Sequence, residues 1–155
     1  MTIAFTPLPA PLPDVTSLPA DAVRHVVADV PHSYPCRRCL RDAEPGEVLV
    51  LLSYDPFLGT SPYRQPGPVY VHAAPCGPDA ADVTSTAEHP APAQLLRRRL
   101  SVRGFDTDHL MVATDLVDGP DVATSAARML TDASVAYIHV HNAAPGCFAV
   151  RIDRA

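Results

Sequence analysis

The chain contains no lysine; all 12 of its basic residues are arginine. A Schiff-base enzyme, an enzyme that anchors pyridoxal phosphate (PLP) covalently and a Walker-type P-loop nucleotide site each need a lysine amine. All three are excluded. The seven glycines stand apart from one another, which leaves neither a glycine-rich phosphate cradle nor the GxGxxG turn of a Rossmann dinucleotide site. GxSxG, HExxH and a calcium loop are also missing. No apolar run approaches the roughly 18 residues of a membrane span. The first residues, MTIAFTPLPAPLP, lack the positive segment and long apolar stretch of a secretory leader. These absences predict a cytoplasmic protein with no membrane partner. The net charge is −5, and the basic residues form no block beyond Arg97, Arg98 and Arg99, so a nucleic-acid partner is not expected. Oligomeric state leaves no mark on the sequence.

What is abundant is proline, 18 of 155 residues, against an average usage of about 5%. Many prolines fall in 7–19 and 75–92, which read as loops. The length is that of one domain, and such a chain buries roughly 70% of its unfolded surface without disulfide staples. In a reducing cytoplasm, Cys36, Cys39, Cys76 and Cys147 are thiols or metal ligands rather than disulfides.

Residues 1–33 read as a proline-rich N-terminal segment with a short edge strand at 2–6 and a helix. Ser17 is placed to cap that helix and Pro19 to sit near its start. It runs toward Ala28 with Val23, Val26 and Val27 on one face. Residues 34–155 read as the sheet-forming part of the same single domain. The run VLVLLSY at 48–54 is a candidate central strand, buried on both faces. Residues 68–73, 95–105 and 110–114 read as further strands. In 95–105, Leu96, Leu100 and Val102 point inward, and Arg97, Arg99, Ser101 and Arg103 outward. Asp118 reads as the cap of a second helix, with Val122, Ala126, Met129 and Leu130 on its apolar stripe. Two strands, 135–141 and 146–152, form a C-terminal hairpin. With His141 opposite Cys147, one hairpin face would carry Tyr137, His139, His141, Cys147 and Arg151. Ile138, Val140, Phe148 and Val150 would make the apolar one. The expected architecture is α+β: a mostly antiparallel sheet of five to seven strands, ending in this hairpin, with two helices packed on it.

Two constellations carry possible chemistry. Cys36-x-x-Cys39 with His72-x-x-x-Cys76 is a Cys3His set, the donor mix zinc favours in a tetrahedron. Against it, 32 residues separate Cys39 from His72, more than usual, and no glycine follows the first pair. The same residues can instead be small buried thiols and a hydrogen-bonded strand histidine. A redox CxxC is a third reading, although a thioredoxin-like pair opens a helix after a strand. The second constellation is His139, His141, Asn142 and Cys147, where a thiol opposite an imidazole is the minimum for a nucleophile and its base. Asn142 can orient a histidine or simply make the turn. Tyr63 and Arg64 lie in a loop after the central strand. There Arg64 can grip a small anionic ligand through its guanidinium fork, or pair internally.

Several strings occur in order: YPCRRCLRDAEPGE at 34–47, LLSYDPF at 51–57, SPYR at 61–64, GPVYVHA at 67–73 with Cys76, HVHN at 139–142 and GCF at 146–148. Together they resemble the bacterial family catalogued as domain of unknown function 1203, over residues 34–152. The resemblance implies a single-domain bacterial protein and supplies no reaction, substrate or cofactor. It places Cys36, Cys39, His72, Cys76, Asn142 and Cys147 on shared strings, which favours one functional or structural site. Two readings stand. One is small-molecule binding or catalysis at a Cys/His site at one end of the sheet, with Cys147, His139 and His141 as chemical groups and Arg64, Tyr63 and Asn142 as binding groups. The other is a non-catalytic protein with a structural zinc site.

Overall fold

The computed structural model describes residues 1–79, 83–85 and 91–155. Among these residues nine strands and one substantial helix make an α+β fold, and each pairing between the named strands is antiparallel. The strands divide between two sheets. β1 (Ile3–Thr6), β5 (Thr84–Ser85), β6 (Arg99–Phe105), β7 (Met111–Asp118), β8 (Tyr137–Asn142) and β9 (Phe148–Arg154) form a six-stranded sheet in the order β5-β1-β9-β8-β6-β7. β2 (Val23–Val27), β3 (Val48–Tyr54) and β4 (Gly67–His72) form a three-stranded sheet in chain order. Residues 1–33 therefore supply one strand to each sheet.

The expected helix from Ser17 to Ala28 is not formed. Asp14 caps a short 3-10 turn, Val15–Ser17, and Val23–Val27 is a strand paired with Val48–Leu52. Three β-branched valines in five residues suit a pleated surface, and the long apolar β3 offers a complete ladder. That ladder outweighs the local helical spacing. β3 is central, as its composition implies, and buried on both faces only at Leu49 and Val50; beyond them Leu52 and Tyr54 stay buried while Leu51 is half-buried and Ser53 exposed. The expected strand 95–105 begins only at Arg99, because Ala93–Leu96 make a single helical turn after Pro92, α1. The expected strand 110–114 extends to Asp118. The expected proline-rich excursion at 75–92 lies partly outside the described residues.

Helix α2 (Val122–Met129) follows a 3-10 turn that holds Pro120, and the Asp118 side chain does not cap it. It lays Val122, Ala126 and Met129 on the face of the six-stranded sheet that carries Leu100, Val102, Ile138, Val140, Val150 and Ile152. Gly119 is required where the chain enters this helix, since a Cβ there would overlap the Leu95 carbonyl. The smaller sheet sends Val50, Leu52, Tyr54, Val69 and Val71 against Phe148.

The hairpin departs from the expected register. His139 pairs with Arg151 and Val140 with Val150, and an irregularity then sets His141 against Phe148. One extra residue in β9 turns Phe148 onto the histidine face, where its ring meets His139 and His141 at 5.3 and 5.9 Å. Phe148 is therefore not on the apolar face with Ile138, Val140 and Val150. No helix among the described residues is long and apolar enough to cross a membrane.

Candidate metal centre and thiol cavity

The chain between β2 and β3 turns tightly at Cys36 to Cys39. Leu40 donates its amide to the Cys36 carbonyl at 3.1 Å, and Cys36 donates to the Arg41 carbonyl at 3.0 Å. Leu40 takes a positive φ of 58°, the left-handed conformation that glycine usually supplies after such a turn. Leucine fills the position because its side chain is buried in the main core. The turn is pinned to β4 by the Arg37 amide, which donates to the Tyr70 carbonyl at 2.9 Å. β4 ends two residues later at His72.

This docking brings the four predicted ligands together. Cys36 Sγ lies 3.7 Å from Cys76 Sγ, and Cys39 Sγ 3.5 Å from His72 Nδ1. All four ligand atoms are within 4.8 Å of one another. A tetrahedral zinc ion with ordinary bond lengths holds sulfur pairs about 3.8 Å apart and sulfur–nitrogen pairs about 3.6 Å apart. Cys36, Cys39, His72 and Cys76 thus form a group that could hold a metal ion. On the far side of its ring, His72 Nε2 is 3.1 Å from the Glu47 carboxylate. That contact places the proton on Nε2 and turns the Nδ1 lone pair toward the sulfurs, the carboxylate–histidine arrangement of metal sites. The Cys36 thiol is drawn down to about 4 by the Cys39 thiol and by three backbone amides that donate to its sulfur. The shared proton and burial push Cys39 up, and burial pushes Cys76 up. All four cysteines of the chain are free. The Cys36 turn opens no helix, so the thioredoxin-like reading lacks its structural context.

Arg37, inside this turn, points the other way. Its side chain is 1% exposed. Its Nε donates to the Phe148 carbonyl at 2.7 Å, a second nitrogen donates to the Pro35 carbonyl, and the third donates to Cys147 Sγ at 3.0 Å. No carboxylate pairs with it among the described residues. The Asn142 amide also donates to Cys147 Sγ, at 3.4 Å, while Asn142 Oδ1 is buried without a partner. Arg37, Asn142 and Cys147 line a cavity of about 560 Å³ that includes Arg98, Arg99 and His32 but no acidic residue. Arg98 is held by a bidentate pair with Asp42, closest contact 2.7 Å.

The structure does not bring Cys147 together with His139 or His141. Adjacent residues of a strand face opposite ways, so Asn142 reaches the Cys147 cavity and His141 the other side of β8. His139 lies deeper on that side, fully buried, with rings of Phe57, Phe105, Tyr137 and Phe148 at 4.9–5.3 Å and both ring nitrogens unpaired among the described residues. Burial holds its pKa down to about 3 and that of His141 to about 4. Both rings are neutral. His141 Nδ1 donates to the Gly146 carbonyl at 2.9 Å. Tyr63 and Arg64 line a second cavity beside His141, and Arg64 is paired internally with Asp55 at 2.6 Å.

Three participants escaped the sequence reading. Arg37 stands between the two cysteines in sequence, but its reach to Cys147 depends on how the turn docks. Glu47 lay within the 34–47 string, and an acidic residue beside an apolar strand was the signal available. Gln94, just before the expected strand 95–105, donates to the Cys36 and Arg41 carbonyls at 3.1 Å.

Fold and donor set together define an antiparallel α+β protein with a Cys3His group able to hold a metal. Residues 33–154 match the family described as Protein of unknown function (DUF1203), and the chain belongs to that family. No curated protein and no solved structure matches it.

Proposed function

We propose that the protein binds and chemically transforms a small anionic molecule in the cavity beside Cys147, one wall of which is held in place by zinc on Cys36, Cys39, His72 and Cys76. The observation that carries this reading is Arg37: a buried guanidinium, offset by no carboxylate among the described residues, donating to a cysteine on a cavity wall. Its other two donors are taken by backbone carbonyls, so Cys147 Sγ is the partner of the guanidinium that faces the cavity. Cys147 is then the nucleophile, supported by a cation rather than by a histidine base. Asn142 orients the sulfur and keeps one acceptor for a ligand N–H or O–H. Arg99, exposed at the rim, adds to the positive lining. Four free thiols, three of them in the metal set, suit a reducing cytoplasm.

Alkylation with iodoacetate and iodoacetamide, read by mass spectrometry on zinc-loaded protein, tests the proposal. Cys147 should label first, with Cys36, Cys39 and Cys76 protected. The anionic reagent should gain on the neutral one relative to a free thiol, and Arg37→Met should remove that gain. Equal labelling of all four thiols, or a reagent preference that Arg37→Met leaves intact, would overturn it. A second reading, a non-catalytic protein with a structural zinc site, is supported by the closed set of four ligands, which leaves no coordination position open. It prevails if Cys147 labels no faster than a free thiol while the other three remain protected by zinc.

A further inference from the structure

The cavity on the opposite side of β8 has a volume of about 380 Å³ and shares no lining residue with the Cys147 cavity. Its lining contains two guanidiniums in different states. Arg64 is bound to Asp55 through both Nε and a terminal nitrogen, at 2.7 and 2.6 Å, and is neutralised by it. Among the described residues Arg103 has no such partner. It projects from β6, a strand flanked by β7 and β8, and its Nε donates to Ser101 Oγ at 3.1 Å. Among the described residues its two terminal nitrogens find no acceptor and no acidic group pairs with it. Partial burial lowers its basicity with nothing to offset the cost. A half-buried, uncompensated guanidinium at a cavity wall has the form of an anion site awaiting its anion.

His141 supplies the second polar contact. A carbonyl only accepts, so the bond to Gly146 places the ring proton on Nδ1. The neutral ring therefore offers Nε2 as an acceptor, and it is held edge-on to Phe148. The lining also holds the aromatic rings of Phe57, Phe105 and Tyr63 with Met111, and one further polar side chain, Gln65. Phe57 and Phe105 meet edge to face at 5.1 Å.

We propose that this cavity is a second ligand site, for a small aromatic monocarboxylate bearing a hydroxyl, with the carboxylate on Arg103 and the hydroxyl donating to His141 Nε2. The guanidinium fork takes carboxylate and phosphate alike, so charge decides: one uncompensated positive charge calls for one negative charge, a monocarboxylate rather than a dianionic phosphate. The volume lies within the range of small-molecule pockets, about 300–1,000 Å³. The site is independent of the Cys147 reading and stands or falls separately from it.

Titration calorimetry with 3- and 4-hydroxybenzoate, benzoate, 4-hydroxybenzamide and inorganic phosphate tests the assignment on the full chain. One hydroxybenzoate should bind best. Benzoate should bind several-fold more weakly, and the uncharged amide at least tenfold more weakly. Arg103→Gln should abolish the preference for carboxylate over amide. His141→Phe should erase the advantage of the hydroxyl while leaving benzoate affinity within about twofold. Cys147→Ser should change none of these values, which separates this site from the first. The proposal is overturned if carboxylate and amide bind alike, if phosphate binds best, if no hydroxybenzoate binds, or if Arg103→Gln keeps the carboxylate preference in a protein whose melting temperature is unchanged.

Discussion

Replacing His139 with leucine should stabilise the protein, and more so in acid. The imidazole lies fully buried among four aromatic rings, with neither nitrogen hydrogen-bonded. An unpaired buried polar group costs about 1–3 kcal/mol, against which the variant gives up some aromatic contact. A net gain of about 1 kcal/mol at neutral pH follows. Protonation adds the larger effect. Burial holds the folded pKa at about 3, whereas the unfolded chain has the ordinary value of about 6.5. As pH falls below that value the unfolded state takes up a proton that the folded state refuses. The stability tied to neutral His139 is complete above about pH 6.5 and is lost as the pH drops toward 3. At pH 5 the loss is about 2 kcal/mol, which the leucine variant does not suffer. Each kcal/mol moves the melting temperature of a domain this size by about 2–4 °C. The gap between His139→Leu and the parent should therefore widen by about 4–8 °C between neutral pH and pH 5. Circular-dichroism melts of both proteins across that range measure it, and acid effects on the metal ligands are common to both and cancel. A gap that stays constant with pH, or a variant less stable at every pH, would refute the reasoning and indicate that the imidazole has a partner.

Elemental analysis of zinc-loaded protein should find one zinc per chain, and Cys39→Ser or His72→Ala should lower both the zinc content and the melting temperature. Glu47→Gln should weaken zinc retention against a chelator by about 10–100-fold, the usual effect of losing an outer-shell carboxylate. Leu40→Gly should destabilise by about 1–3 kcal/mol in urea titration, because the lost burial exceeds the roughly 1 kcal/mol gained by relieving a left-handed leucine. A stabilised variant would mean that backbone strain dominates at the turn. Gly119→Ala should lower the melting temperature by more than any other single methyl addition tried, since the added carbon meets the Leu95 backbone, which has no rotamer by which to yield.

Legibility differed by element, for physical reasons. VLVLLSY read as a strand because seven residues of that composition have few other uses. The α2 stripe read correctly because its period is that of a helix. The stretch 17–28 misled because Val23, Val26 and Val27 suit either a helical face or a strand, and only β3 lying alongside chose between them. The hairpin was visible, but its irregularity beside Phe148 was not, since one extra residue changes which side chain faces which wall without altering composition.

The sequence by itself determined the antiparallel α+β class, the excluded lysine chemistries and the Cys3His donor set, because each follows from residue type and short-range spacing. Only the tertiary structure decided that Cys36, Cys39, His72 and Cys76 converge, that Leu40 takes the place of a glycine, and that Glu47 stands behind His72. It also separated Cys147 from His139 and His141, and gave the thiol Arg37 and Asn142 instead. Residues 37 and 147 stand 110 positions apart. Nothing in local pattern reports such a pair, because it exists only where a turn docked on one sheet meets the hairpin end of the other.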